Sequence, residues 1–217
     1  TAVTTNGYTL SQRGPALADN GLGAIFVSLD GPAEIHDQTR GRAGSFARAV
    51  DGLACLARHP KPPRMSVHCV LTPWNLGHLR RLVESLAELP LERIGFMHPN
   101  FTTPEMAAEH NRHYGEHYRA TDSNLGPLQP DQVDLDLLAA EIAVLRALRP
   151  GLPLTFSPNL SSRVELERFY RQPTEWIGRG CGDVHRTMMI KSDGSVIPAH
   201  GRCYELTIGN VKHQSLT

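Results

Sequence analysis

Residues 24–31 read Ala-Ile-Phe-Val-Ser-Leu-Asp-Gly, a nearly continuous apolar run that ends in a hydroxyl and a carboxylate. Such a run is typical of a buried strand in a parallel sheet. Similar runs occupy residues 2–5, 65–72 and 93–98, and segments of helical periodicity separate them. Strands spaced in this way need crossover connections, so the sequence predicts an α/β fold with a parallel sheet and helices packed outside it.

The number and order of these units favour part of a barrel. Four consecutive strand–helix units without a dinucleotide fingerprint fit a barrel better than a doubly wound sheet. In a barrel the chemistry lies at the C-terminal ends of the strands, and those ends are polar here although the strands before them are apolar. We therefore predict that the strand ends share one edge of the sheet. The polar residues at these ends include Asn6, Ser28, Asp30, Asn75 and His98.

The composition argues against several functional classes. The chain has 217 residues, and 22 lysines and arginines balance 22 aspartates and glutamates. A net charge of zero argues against a nucleic-acid-binding protein with a broad basic face and against a protein held at a membrane surface. No apolar run approaches the roughly 20 residues needed to cross a bilayer. Four cysteines in this length do not make a disulfide scaffold, so we expect a reducing, cytoplasmic location.

Several short motifs, taken in order, resemble those of a known family. Thr-Asn-Gly at residues 5–7 ends the first strand, and Ser-Leu-Asp-Gly at residues 28–31 ends the second. A His-Asp pair at residues 36–37 and an Arg-Gly pair at residues 40–41 precede the next helix. This order resembles the middle of a radical S-adenosylmethionine (SAM) enzyme. The resemblance covers residues 3 to about 100 and implies strands three to six of a partial (β/α)6 barrel.

The resemblance also implies an activity. Radical SAM enzymes cleave SAM reductively, by means of a four-iron four-sulfur (4Fe-4S) cluster, to a 5′-deoxyadenosyl radical that abstracts hydrogen from a substrate. Members with an auxiliary-cluster domain often modify peptides or proteins. The resemblance therefore implies a peptide as the leading substrate class, with a small molecule as the alternative. The family implies an electron donor such as flavodoxin or ferredoxin. Neither nucleic acid nor a membrane is expected as a partner.

The same resemblance indicates which residues contact SAM. It implies contacts from Ser28, Asp30 and Arg40, with Asn6 and Asn75 as weaker candidates. The chemistry agrees, because a hydroxyl and a carboxylate can bind ribose hydroxyls and an α-ammonium group, and a guanidinium can fork onto a carboxylate. The alternative is that Asp30 lies only in a turn and that Arg40 is only a surface cation.

Three side chains outside these motifs are expected to pack rather than react. Cys55 and Cys69 fall in a predicted helix and a predicted strand beside apolar neighbours, so we expect buried structural thiols. Trp74 lies in a loop-like context, where it either contacts a substrate or packs. Packing is the stronger interpretation.

A hairpin signature near the C terminus indicates a second kind of structure. Two β-rich runs within residues 187–197 flank Asp193-Gly194, a strong turn pair. Cys181 before this hairpin and Cys203 after it resemble the opening of a SPASM or twitch domain, which carries an auxiliary iron–sulfur cluster in many radical SAM enzymes. The resemblance implies that both thiolates bind such a cluster, and soft sulfur ligands suit iron.

One position departs from the SPASM pattern. The family's second cysteine falls where this sequence has Ala199, and Cys203 comes four residues later. Cys203 at the end of a longer loop is the favoured ligand. His200 as a substitute, an altered or lost cluster, and two ordinary buried thiols are the alternatives.

The largest departure from the family is a missing motif. No CxxxCxxC, which holds the radical-generating cluster, occurs in the 217 residues. In the family it precedes the Thr-Asn-Gly strand, so we expect this chain to be an internal fragment that is inactive by itself. We assign residues 1–157 to a partial radical SAM barrel, 158–178 to a linker or helix, and 179–217 to the start of a SPASM or twitch domain.

Two other functions stay open at this point. One is an ordinary metal-dependent barrel lyase or hydrolase that uses Asp30, His98 and a bound metal. The other is a binding module with the SAM fold that holds a peptide or partner without a cluster. Ala199 would suit this second alternative, because it removes an expected cluster ligand.

Overall fold

The computed structural model describes residues 1–123, 130–148, 151–175, 188–198 and 206–215. The chain forms two compact units. The first combines residues 1–99 with 130–171, and the second combines residues 100–129 with 172–217. No helix within the described ranges is long and apolar enough to span a bilayer.

The first unit alternates strands and helices along the chain. Its strands are β1 (Ala2–Thr5), β2 (Ala24–Ser28), β3 (Arg64–Val70), β4 (Arg93–Met97) and β5 (Leu154–Ser157). Its helices are α1 (Leu10–Asp19), α2 (Ala33–Thr39), α3 (Ser45–Ala57), α4 (Leu79–Ser85), α6 (Leu135–Ala147) and α7 (Arg163–Arg171), with a 3-10 turn at Pro130–Gln132. Helix α5 (Pro104–Tyr114) belongs to the second unit.

The strands of the first unit form a five-stranded sheet in the order β1-β2-β3-β4-β5. Each strand pairs in parallel with the next one along the chain. An order that never reverses is that of a barrel wall, whereas a doubly wound sheet reverses at a switch point. Because all five strands run the same way, their C-terminal ends lie at one edge, here called the C-terminal edge. The sequence prediction of a shared edge is confirmed.

The two faces of this sheet differ in chemistry because side chains alternate along a strand. Val67 and Phe96 point to one face and are fully buried in the core shared with the helices. The register places Ser28 beside His68, and His68 beside Gly95, on the other face. We call this second face the open face. Its half-buried or exposed residues include Thr4, Phe26, Ser28, His68, Met97 and Thr155.

Glycines at two contacts hold α3 close to its neighbours. A Cβ at Gly52 of α3 would lie 2.5 Å from the Cβ of Leu10, so only glycine lets α1 approach this closely. A Cβ at Gly7 would lie 2.7 Å from that of Ala49, and Gly7 has a φ of +76°, which also favours glycine. These contacts fix the loop after β1 against α3.

The second unit contains α5 and a three-stranded sheet in the order β6-β7-β8. Its strands are β6 (Met188–Ile190), β7 (Ser195–Pro198) and β8 (Gly209–Asn210), and the pairs are antiparallel. The amide of Ser195 donates to Asp193 Oδ1 at 2.9 Å, and Gly194 has a φ of +87°. The predicted hairpin is therefore confirmed. The assignment of this region to a SPASM or twitch domain stays a prediction.

Periodicity does not indicate α2 and β5, which the structure contains. Helix α2 has seven residues and follows Pro32, so it is too short to repeat an apolar face. Strand β5 has four residues, of which Thr155 and Ser157 are exposed. Four residues give too few alternations to separate a strand from a loop.

Candidate functional site

Two charged side chains meet at the C-terminal end of β2. Arg40 follows α2 and forks onto Asp30: its Nε donates to Oδ2 at 2.6 Å and its Nη2 donates to Oδ1 at 3.0 Å. The Asp30 side chain is 15% exposed and that of Arg40 is 38% exposed, so the pair faces solvent on one side. A bidentate pair restricts both side chains. Asp30 is therefore more than a turn residue, and Arg40 is more than a free surface cation.

His36 supports Asp30 from the buried side. Its ring is 1% exposed, and its Nδ1 lies 3.1 Å from both the amide nitrogen and the Oδ2 of Asp30. Unprotonated, Nδ1 accepts from the amide; protonated, it donates to the carboxylate. In either form His36 fixes the loop that follows β2. The imidazole also packs edge-on against Phe46 of α3, at 6.0 Å between ring centroids.

The electrostatic surroundings keep the Asp30 carboxyl ionised. Burial by itself would raise its pKa, but the hydrogen bond with His36 and the charge and hydrogen bonds of Arg40 outweigh burial and hold the pKa below its ordinary value. Asp30 is thus a carboxylate at neutral pH. It can accept hydrogen bonds from hydroxyl or ammonium groups of a ligand on its exposed side.

Asn75 braces the ends of β2 and β3 against each other. It is fully buried, and its Nδ2 donates to the carbonyl oxygens of Asp30 at 2.8 Å and Val70 at 2.7 Å. Its Oδ1 accepts from the amide of Thr72 at 2.9 Å. The side chain thus positions the backbone of Asp30. Contact between Asn75 and a cofactor stays a prediction, and its role in this structure is to hold the site together.

Ser28 and Asn6 lie at the same edge as Asp30. Ser28 is half-buried on the open face at the last position of β2, and its hydroxyl has no hydrogen-bond partner in the part of the chain that the structure describes. Asn6 follows β1 and is exposed, and its Oδ1 accepts from the amide of Tyr8 at 3.1 Å. The structure therefore leaves the Ser28 hydroxyl free for a ligand, whereas the Asn6 oxygen closes a local turn.

His68 is a titratable side chain that the sequence did not single out. It lies beside Ser28 on the open face and stacks on Phe26 at 4.8 Å between ring centroids. Burial, with a further contribution from the charge of Arg93, lowers the pKa of His68. His68 is therefore a neutral imidazole on the open face. The sequence could indicate the orientation of His68 only through the alternation of side chains along β3. That inference requires the pairing register of the strand.

His98 lies on the opposite side of the sheet from the open face. It is 2% exposed, its Nδ1 lies 2.8 Å from the hydroxyl of Tyr170, and no described residue bonds its buried Nε2. Burial lowers the pKa of His98 to about 4 and raises that of Tyr170. His98 points into the core beside Tyr170, and among the described residues it belongs to no group of metal-ligating side chains with Asp30. The structure therefore gives no support to a metal-dependent lyase or hydrolase built on these two residues.

The described cysteines do not form a metal centre. Within the described ranges, no group of three or more histidine, cysteine, aspartate and glutamate side chains is arranged to hold a metal ion. Cys69 is buried, and burial raises the pKa of its thiol far above the ordinary value, with Asp30 and then Glu141 adding to the effect. Cys55 is only partly buried. Cys181 and Cys203 lie outside the described residues.

Trp74 differs from its sequence prediction. Its side chain is 45% exposed rather than packed, in the loop between Thr72 and Asn75 at the C-terminal edge. A large exposed aromatic side chain at the edge that carries the site is a candidate ligand contact. Exposure of a tryptophan in a four-residue loop has no sequence signature.

Comparison with solved structures relates this geometry to known proteins. No protein-family model matches the sequence, and no curated protein matches it. Streptococcus suis SuiB bound to S-adenosylmethionine is similar at a TM-score of 0.57 and 13% identity, over 100% of this chain and 46% of SuiB. The chain shares the fold of this SAM-bound protein. The predicted α/β fold with a partial barrel is confirmed.

Two further structures of this fold hold peptides. SuiB bound to precursor peptide SuiA is similar at a TM-score of 0.57 and 15% identity, over 100% of this chain and 46% of that one. The protein anSMEcpe with bound AdoMet and Kp18Cys peptide is similar at a TM-score of 0.56 and 17% identity, over 99% of this chain and 55% of that one. The chain thus spans about half the length of the proteins it matches.

Proposed function

We propose that this chain is the SAM-binding part of a radical SAM enzyme. The observation that carries the proposal is the Asp30–Arg40 pair at the C-terminal edge of a sheet whose fold occurs in proteins with bound SAM. SAM bound there would supply, on reduction by an iron–sulfur cluster, a radical that removes hydrogen from a substrate. The residues of this chain hold and orient the cofactor.

The described side chains fit the polar groups of SAM. Arg40 is partly exposed and carries donors beyond the two that Asp30 uses, so it can bind the methionine carboxylate. Asp30 is ionised and can accept from an α-ammonium or a ribose hydroxyl. Ser28 offers an unpartnered hydroxyl on the neighbouring open face. Asn6 is exposed at the end of β1 and is the weaker contact.

The cluster that reduces SAM does not fit the described residues. No set of three cysteines lies among them, and no CxxxCxxC occurs in the sequence. We therefore assign the radical-generating cluster to a part of the full-length protein outside these 217 residues, and an electron donor such as flavodoxin or ferredoxin to its reduction. We propose an auxiliary 4Fe-4S cluster at Cys181 and Cys203 on the SPASM resemblance alone.

A peptide is the substrate that we propose. Support comes from the peptides SuiA and Kp18Cys in two structures of the same fold. The half-buried open face, with Ser28, His68 and Thr155, offers hydrogen-bonding groups beside the SAM-binding edge.

Removing either partner of the central pair is expected to weaken SAM binding. In the full-length protein, Arg40→Ala or Asp30→Ala should raise the dissociation constant for SAM about ten- to a hundredfold, because a partly desolvated charge-assisted contact is lost. The iron content should stay unchanged, since neither residue binds metal. Isothermal titration calorimetry and iron analysis on the same preparations check both results.

The matched control is Arg80→Ala on α4. Arg80 is an exposed arginine that pairs with Glu84 at 2.7 Å, in the manner of a surface ion pair. Its replacement should leave SAM affinity unchanged. Wild-type affinity in both Arg40→Ala and Asp30→Ala would remove these residues from the site and with them the main support for the proposal.

The auxiliary cluster has its own test. In the anaerobically reconstituted full-length protein, Cys203→Ala should lower the iron content by up to one cluster, whereas His200→Ala should not. The reverse result would make His200 the ligand. Equal iron in both variants and the wild type would indicate that the domain has lost its cluster, as Ala199 suggests.

A further inference from the structure

A cluster of two arginines and one tyrosine borders the C-terminal edge. The guanidinium carbon of Arg42 lies 3.9 Å from the centroid of the Tyr8 ring, and that of Arg48 lies 4.6 Å from it. Tyr8 follows β1, Arg42 precedes α3, and Arg48 lies in the first turn of α3. We call these three residues the arginine–tyrosine cluster.

The two arginines lack the partners that neutralise other arginines of this chain. Within the described residues neither guanidinium has a carboxylate within 4.0 Å or a hydrogen-bond partner, whereas Arg40 and Arg81 each have a carboxylate. The nearest acidic residues in the sequence are Asp37 and Asp51, and neither lies within 4.0 Å of Arg42 or Arg48 in an ion pair. The cluster is therefore a local excess of positive charge.

Both positive charges are held close together by the ring. Because each guanidinium carbon is near the same centroid, the two carbons lie at most 8.5 Å apart, the sum of the two distances. This is comparable to the Debye length of about 8 Å at physiological ionic strength, so the charges repel each other. The contacts with the ring leave the guanidinium N–H groups without hydrogen-bond partners among the described residues, so these groups can donate to an anion. An anion that contacts both guanidinium groups would relieve the repulsion.

The backbone that carries the cluster is fixed before any ligand binds. The amide of Arg42 donates to the carbonyl of Asp37 at 2.9 Å, and the amide of Arg48 donates to that of Gly44 at 3.1 Å. Asp37 also accepts from the Phe46 amide at 2.8 Å and so caps α3. Its carboxylate is thus used by the helix end. A preformed site loses little conformational entropy on binding.

We propose that the arginine–tyrosine cluster binds a carboxylate of an acidic residue in the peptide substrate. This inference rests on the proposed function and deepens it. Arg42 is two residues from Arg40, which holds Asp30, so a peptide anchored at the cluster lies beside the SAM-binding edge. Planar guanidinium groups match the geometry of a carboxylate. The cluster therefore selects peptides with an acidic residue near the position to be modified.

The test is a binding titration with two labelled probes. A fluorescein-labelled peptide of alternating glycine and glutamate and its glycine–glutamine counterpart are titrated with the full-length protein, and fluorescence anisotropy is measured. The Arg42→Gln/Arg48→Gln double variant should bind the glutamate peptide about tenfold more weakly than wild type, since two charge-assisted contacts are lost. The wild type should prefer the glutamate peptide over the glutamine peptide by a similar factor. Higher salt should weaken only glutamate-peptide binding.

The matched control removes two other exposed arginines. Arg80→Gln/Arg81→Gln on α4 changes the net charge equally, and both side chains pair with glutamates on the surface. This variant should bind the glutamate peptide within about twofold of wild type. An equal loss in the control and the cluster variant would reduce the effect to net charge and overturn the proposal, as would wild-type binding by the cluster variant.

Two readouts separate this inference from the proposed function. SAM affinity should be unchanged in Arg42→Gln/Arg48→Gln, because neither arginine belongs to the SAM contacts. Absence of SAM binding in the wild type would overturn the proposed function. Unaltered glutamate-peptide binding in the cluster variant would overturn only the proposal that the arginine–tyrosine cluster binds the peptide. Inorganic phosphate that binds in a cluster-dependent way, when the glutamate peptide does not bind, would assign the cluster to a phosphate ligand and overturn the peptide proposal.

Discussion

Asn75→Ala is expected to lower the free energy of unfolding by about 3 kcal/mol. The Asn75 side chain is fully buried and bonds three backbone groups, the carbonyls of Asp30 and Val70 and the amide of Thr72. Alanine leaves these groups without their partner, and each buried unsatisfied group costs about 1–3 kcal/mol, part of which water in the new cavity recovers. Urea unfolding at neutral pH measures the loss.

The comparison is Asn20→Ala at the end of α1. Asn20 is exposed, and its side chain makes one bond, to the carbonyl of Ala16 at 2.7 Å. Its loss should cost no more than about 1 kcal/mol, because water replaces the bond. A result in which the two variants lose equal stability would show that Asn75 does not brace the strand ends. Since Asn75 positions Asp30, weaker SAM binding should accompany the lost stability.

The strands of this fold are predictable from the sequence because burial leaves a continuous apolar pattern. The run at residues 24–31 marks β2, and the similar runs mark β1, β3 and β4 within two residues. Their order without a dinucleotide fingerprint also indicates the barrel. Strand β5 is not predicted, because two of its four residues carry exposed hydroxyls. Its sequence therefore shows neither an apolar run nor a clear alternation of apolar and polar residues.

The site is predictable only in part. Asp30 and Arg40 are ten residues apart, and the family resemblance is enough to place them together. Asn75 bonds the Asp30 carbonyl across 45 residues, which local sequence does not encode. The resemblance indicates Asn75 only as a weaker SAM contact, which stays a prediction, and its bracing bonds are visible only in the structure.

Orientation is the other property that the sequence leaves open. His98 ends a strand, as Ser28 does, and both follow apolar residues. Alternation along β4 nevertheless turns His98 toward Tyr170 and the helices, whereas alternation along β2 turns Ser28 to the open face. A shift of one residue in where a strand begins reverses such an assignment. The pairing register, which only the structure supplies, decides it.

The buried His98 is expected to make stability fall in acid. Its pKa is about 4 in the folded chain, against about 6.5 for an ordinary histidine, so the unfolded chain binds a proton between these values that the folded chain excludes. The resulting stability is complete above about pH 6.5 and is lost as the pH falls toward 4. The loss for this one group should reach about 2.5 kcal/mol by pH 4.5.

The variant His98→Phe isolates this effect from the carboxylates that also titrate in acid. Phenylalanine keeps an aromatic ring against Phe169 and Tyr170 but has no proton to bind. Between pH 7 and pH 4.5, its unfolding free energy should fall by about 2.5 kcal/mol less than that of the wild type. Parallel pH profiles for His98→Phe and wild type would mean that water reaches Nε2 and that His98 takes up its proton without opening the core.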